Sequence, residues 1–154
     1  QKAADMYEIP PAILAALIEQ ESRWDPQAYN KSGATGIAQI IPRWHPEVNP
    51  GVDPHADIMY AAKYLRQMMT DYGFDLETAI YGYNAGPNAV LRYGKGMNPE
   101  NRKYYPEIME RAKKYRRKSY QGLRSNWEDR VADSPYNSPD LLSPNLRGRI
   151  YQLA

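Results

Sequence analysis

At 154 residues, with 42% hydrophobic and 25% charged residues, the chain has the size and balance of one globular domain, which excludes a multidomain machine and a wholly disordered segment. Twenty basic against eighteen acidic side chains leave a formal charge of +2, too little to imply an anionic partner by itself. The absence of cysteine removes disulfides, thiolate nucleophiles and cysteine-based zinc sites, and the longest strictly apolar run, Ala12 to Ile18, is far short of the roughly twenty residues a membrane span needs.

A helical pattern begins almost at once. Pro10 and Pro11 open a helix whose Ile13, Leu14, Leu17 and Ile18 recur at three-and-four spacing, and it ends near Arg23. From Asp25 to Gly51 the prolines, the glycines at 33 and 36 and the lack of period predict loops with short strand or helix pieces, where a cleft can be built. Asp53 and Pro54 supply an N-cap and a first-turn proline for a second helix, carried by Ile58, Ala61, Ala62, Leu65, Met68, Met69 and Tyr72 to a stop at Gly73. Asp75 caps a third, with Leu76, Ala79, Ile80 and Tyr83 on one face, broken at Gly86-Pro87. A short helix follows from Asn88 to Tyr93, then a polar loop from Gly94 to Asn101, then a helix from Pro106 with Ile108, Met109, Ala112 and Tyr115 inward. Beyond Ser119 the recurring Ser-Pro pairs favour turns or extended chain. We therefore read Gly122 to Ala154 as extended, with a domain over 1–118 and a C-terminal arm or linker over 119–154.

Chemistry is best signalled at Glu21. Stepping three, four and seven residues back from it reaches Ile18, Leu17 and Leu14, so Glu21 lies on the apolar face while Glu19 falls on another side and can stay in water. Removal from water disfavours the carboxylate, and a carboxyl group still protonated near neutrality is suited to general acid catalysis. A Glu at a helix end can also reach solvent past Ser22 and do nothing, so the pattern alone leaves both readings open. The helix runs directly into the loop-rich segment, and binding sites are often carried on loops held by a rigid scaffold.

The residues around Glu21 resemble a family. Glu21-Ser22-Arg23-Trp24-Asp25-Pro26 is similar to the opening motif of the soluble lytic transglycosylases, lysozyme-like proteins that cut bacterial peptidoglycan. Gly33-Ala34-Thr35-Gly36-Ile37-Ala38-Gln39 with Pro42 resembles their second motif, Tyr83-Asn84-Ala85-Gly86 their third, and Asn101-Arg102-Lys103-Tyr104-Tyr105-Pro106 their last, all in order across about residues 5 to 115. Two positions depart from the pattern: Ala38 where a larger side chain, often Met, is usual, and Gly82 where Ala usually precedes Tyr-Asn. The resemblance implies a mostly α, lysozyme-like α+β fold that needs no cofactor. It also implies one catalytic carboxyl, Glu21, cutting the β-1,4 bond between N-acetylmuramic acid and N-acetylglucosamine to leave a 1,6-anhydro sugar. Substrate contacts would come from Ser22, Gln39, Tyr83, Asn84 and Tyr104, with Tyr83 and Tyr104 also facing Glu21, and the site of action would be the cell wall, outside the cytoplasm.

Ordinary glycosidases need two carboxylates, and Asp25, four residues on, is the obvious second. Pro26 pushes it out of the helical region, so Asp25 is expected to cap a turn instead. His45 and His55 stand in proline-rich surroundings with no cysteine to join them, a poor metal set. No Gly-x-Ser-x-Gly string marks a serine hydrolase. Six cations between Arg111 and Lys118 would suit an anionic surface or, less well, nucleic acid, but equally form a solvated helix face. Two other functions compete with the lyase: a hydrolytic lysozyme using water, and a non-catalytic binding module in a larger virion or wall-associated assembly. The missing initiator Met and the tail suggest a piece of something longer, such as a bacteriophage virion protein, although a periplasmic or secreted bacterial enzyme fits the same residues.

Overall fold

The helix boundaries follow from a few local signals. A computed structural model describes residues 1–132, with side chains to Arg116. Its helices are α1 (Lys2–Met6), α2 (Pro11–Ser22), α3 (Pro54–Asp71), α4 (Leu76–Ala85), α5 (Pro87–Tyr93) and α6 (Pro99–Ala132). Pro11, Pro54 and Pro87 each sit in a first helical turn, where a missing N–H costs nothing. Asp53 accepts from His55 N at 2.9 Å and Asp75 from Thr78 N at 2.7 Å, which satisfies otherwise orphaned donors at the starts of α3 and α4.

The predicted stripe of α2 is the centre of the core: Ile13, Leu14, Leu17 and Ile18 are buried together with Leu65 and Met68 of α3, Ile80 of α4 and Ile108 of α6. The fold is mostly helical, as expected. Among the described residues the extended contribution is limited to two isolated bridges, Tyr29 with Thr35 and Thr35 with Ile40. They fold the 25–51 loop back on itself. Gly36 is the fixed point of that loop. At φ +77° it lies where side chains are strained, and an added Cβ would stand 2.4 Å from Asp57 Oδ2 and 2.7 Å from Gly51 N. The close approach that this glycine permits is therefore to the start of α3, tied by Gly51 N donating to buried Asp57 at 2.9 Å. Gly82, one of the two departures from the family pattern, is buried where a Cβ would meet Met68 Sδ at 2.8 Å, so it lets α4 press on α3.

Two expectations are corrected in the C-terminal part. The last helix starts at Pro99, not Pro106, because Asn98 Oδ1 accepts from Asn101 N at 2.8 Å and Pro99 occupies the first turn. Pro106 is accommodated inside the helix on an exposed position. The same helix continues to Ala132, so the reading of extended chain from Gly122 fails over 122–132. The remainder of that reading, 133–154, lies outside the described residues.

Candidate active site

Glu21 is the penultimate residue of α2. Immediately beyond it the chain leaves the helix through two successive left-handed non-glycine residues, Arg23 (φ 56°) and Trp24 (φ 69°), a strained arrangement that surrounding contacts must hold. Trp24 supplies one by donating its indole N–H to the Tyr115 hydroxyl at 2.9 Å. Asp25 then accepts from Gln27 N at 2.8 Å, forming the expected turn cap, and it sits exposed.

The Glu21 carboxyl has one hydrogen-bond partner among the described residues, the buried Tyr104 hydroxyl of α6, which donates to Oε1. Burial pushes its pKa up to about 7, with the Tyr104 hydrogen bond opposing that rise because it favours the charged form. Burial also drives the Tyr104 and Tyr83 phenols well above their ordinary value, with the charge of Glu21 adding to it, so both remain protonated donors. Tyr83 nevertheless directs its hydroxyl to Ala38 O at 2.8 Å, not to Glu21. It pins the second motif against α4.

A cleft of about 730 Å³ opens beside Glu21. Of the residues singled out in the sequence, Glu21, Gln39, Tyr83 and Asn84 line it. Gln39, at φ 50°, gives its side-chain N–H bonds to Ala28 O (3.1 Å) and Gly36 O (3.0 Å), leaving the amide oxygen for a ligand. Asn84 is exposed and accepts at Oδ1 from Asn101 Nδ2 at 2.8 Å, which turns its own amide N–H groups outward. Tyr104 reaches the cleft only through Glu21. Ser22 is absent from the cleft wall: its hydroxyl donates to Ile37 O at 2.6 Å and ties the end of α2 to the loop.

Several participants were assigned no part in the site by the sequence. Asn101, within the last motif but given no role above, is buried and links three segments: its Oδ1 accepts from Gly96 N at 2.9 Å, while its Nδ2 reaches Tyr81 O (3.3 Å) and Asn84. Trp44, His45, Tyr60 and Tyr64 form another stretch of cleft wall. The i, i+4 pair of tyrosines on α3 was the available signal for it. Glu19 is a correction. Instead of standing in water it is held against α6 by Lys114, by Arg111 Nη1 at 3.3 Å and by the Tyr115 hydroxyl at 2.7 Å. With Lys113 on Glu110, three cations of the basic run are engaged within the chain. Among the described residues no three His, Asp or Glu side chains gather as a metal site, and no helix is long and apolar enough to cross a membrane.

The sequence model of the family described as Transglycosylase SLT domain matches residues 1–106. Similar proteins include the Soluble lytic murein transglycosylase of Escherichia coli K12, 30% identical over 95 residues, covering 54% of this chain and 15% of that protein. The Transglycosylase of Enterobacteria phage PRD1 is 31% identical over 88 residues, covering 56% and 33% respectively. The Membrane-bound lytic murein transglycosylase F of Cellvibrio japonicus is 30% identical over 145 residues, covering 83% and 29%. The chain thus spans a third or less of the length of these curated relatives.

Proposed function

This chain belongs to the Transglycosylase SLT domain family, and from that premise we propose that its cleft cleaves the β-1,4 bond between N-acetylmuramic acid and N-acetylglucosamine in peptidoglycan by lytic transglycosylation. Glu21 is the acid and then the base. It protonates the glycosidic oxygen as the bond to C1 breaks and N-acetylglucosamine leaves. The resulting carboxylate takes the proton of the muramic C6 hydroxyl as that oxygen closes on C1. A 1,6-anhydro ring forms, Glu21 regains its proton, and no water is consumed.

One observation carries the reading: of the two carboxyl groups on the cleft wall, Glu100 is exposed while Glu21 is partly buried and held by a buried tyrosine, with a pKa of about 7. Such a group exists in both forms near neutrality, which acid-then-base duty requires. An internal nucleophile removes the need for a second carboxylate because its effective concentration can reach about 10⁵ M or more. Gln39 and Asn84 offer an acceptor and donors to the glycan, and Ser22 acts through the loop it ties. Residues 1–118 form the catalytic domain, 119–154 are a C-terminal arm or linker, and the place of action is the wall outside the cytoplasm. The match to a bacterial protein named Soluble lytic murein transglycosylase supports the substrate, and the match to a phage protein named Transglycosylase supports the reaction class.

Mass spectrometry of muropeptides released from purified sacculi tests this. The chain should release anhydro-ended products, and Glu21→Gln should release about 10²–10⁴-fold less. Products with free reducing ends throughout would make the enzyme a hydrolytic lysozyme, and undiminished release by Glu21→Gln would remove the catalytic role.

A further inference from the structure

The loop between Gln39 and α3 places Trp44 and His45 side by side on the cleft wall. Resting on the glycan reading above, we propose that this pair is a separate sugar-binding subsite, with Trp44 the platform for the apolar face of an N-acetylated pyranose and His45 Nε2 the acceptor for one of its hydroxyl or amide protons.

Trp44 is 65% exposed although it belongs to the wall of a cleft. An indole left in water presents a flat apolar surface whose covering is favourable. The Arg43 guanidinium lies 4.5 Å from its ring centroid, stacked in a way that restrains the indole while leaving ring surface for a ligand. The C–H face of a pyranose has the matching shape and polarity.

His45 is held in both position and tautomer. Its ring meets Tyr60 and Tyr64 edge-on, with centroids 5.4 and 4.7 Å away. The Tyr60 hydroxyl has one proton and donates it to Glu47 Oε1, a carboxylate kept charged by that contact. The remaining bond, 2.8 Å between His45 Nδ1 and the same hydroxyl oxygen, must then be donated by Nδ1–H. In the neutral ring Nε2 is therefore left as a bare acceptor. No described residue bonds it, and among the described residues no buried side-chain nitrogen or oxygen lacks a partner, so Nε2 is open to solvent. An acceptor lone pair beside an aromatic platform selects a neutral ligand rich in O–H and N–H donors and discriminates against a phosphate or carboxylate at that point. The Tyr64 ring continues the wall to Tyr83, 5.8 Å between centroids, so the subsite shares one surface with the reacting end.

The test separates this subsite from the catalytic assignment. In the Glu21→Gln background, binding of N-acetylchitotetraose is measured by titration calorimetry with Trp44→Ala, Trp44→Phe and His45→Phe added singly, and with His55→Phe as an exposed histidine control. Trp44→Ala and His45→Phe should each weaken Kd about tenfold, Trp44→Phe should restore most of the loss, and His55→Phe should change nothing. In the parent enzyme acting on sacculi, the same two substitutions should raise KM about tenfold with the loss falling on KM rather than kcat. A Kd and a KM within twofold of the parent for Trp44→Ala would overturn the platform. The same result for His45→Phe would overturn the acceptor. Should the tetrasaccharide bind none of the proteins, the sacculus KM alone decides, and a chain that releases no muropeptide at all would instead count against the catalytic reading.

Discussion

Two carboxyl groups on α2, separated by one residue, face opposite electrostatic worlds. Glu21 turns into the cleft, where burial raises its pKa to about 7 and a neutral phenol is its hydrogen-bond partner. Glu19 turns to α6, where the Lys114 hydrogen bond leads the effects that lower its pKa, outweighing burial and joined by Tyr115 and by Arg111. The two residues are chemically identical and share one helix turn. What separates them is which effect wins: at Glu21 burial dominates and the Tyr104 hydrogen bond only partly opposes it, whereas at Glu19 the Lys114 contact outweighs burial. Tyr104 and Lys114 lie on one helix, so α6 supplies the opposing contact in both cases, a neutral donor to one acid and a full positive charge to the other.

Substituting the proposed catalytic acid breaks the comparison most severely. Beyond the activity loss already stated, Glu21→Gln should change stability with a definite sign. The folded protein holds a proton on Glu21 up to about pH 7, against an ordinary value of 4.5. Stability from this group is therefore complete below about 4.5 and is lost progressively as pH rises to about 7, on the order of 3 kcal/mol. A neutral amide does not suffer that loss. Thermal melts should show Glu21→Gln more stable than the parent at pH 8, with the two converging near pH 4. A variant that melts lower at pH 8 would mean that the carboxylate is well solvated. Tyr104→Phe is the next smaller effect. It removes the donor that favours the charged form, so the alkaline limb of the kcat profile should move to higher pH, accompanied by a several-fold loss near pH 6 from poorer orientation. A limb that moved downward would show that burial is not the dominant influence on Glu21.

The inward side of this contrast was legible in the sequence, and the outward side was not. Three-and-four spacing fixes which face of α2 holds Leu14, Leu17, Ile18 and Glu21, because one helical stripe is a local property. The Tyr104 contact bridges 83 positions and came from the resemblance, since no periodicity connects residues so far apart. Glu19 looked free because α2 alone says nothing of what packs on its other flank. The start of α6 was readable and was missed: Asn98-Pro99 is an N-cap and first-turn proline, but Pro106 offered a competing start. The reading of Gly122 as the beginning of extended chain rested on prolines from Pro135 onward, and local turn residues do not act on a helix already propagating from Pro99 to Ala132. The Trp44 and His45 wall has no period, and its geometry depends on Tyr60, Tyr64 and Glu47 meeting in space.

The smallest expected effect tests the anchor. Glu19 is 14% exposed, while Lys114 and Arg111 are 49% and 35% exposed, so solvent screens both pairs and neither stabilises strongly. Glu19→Gln keeps the size and the Tyr115 acceptor but removes the charge. Because the folded protein lowers the Glu19 pKa below 4.5, its contribution is present above that value and disappears as pH falls through the folded one. The variant should thus melt a few degrees below the parent at pH 7, with the gap closing near pH 3 and shrinking in about 1 M salt. Its kcat should stay within about twofold, since Tyr104 is anchored by the buried core around Ile108 as well as by this clamp. A melting gap that persisted at low pH and high salt would assign the role of Glu19 to packing. A large fall in kcat with an unshifted pH profile would mean instead that the clamp sets the register in which Tyr104 meets Glu21, and the two carboxyl groups would then work as one unit.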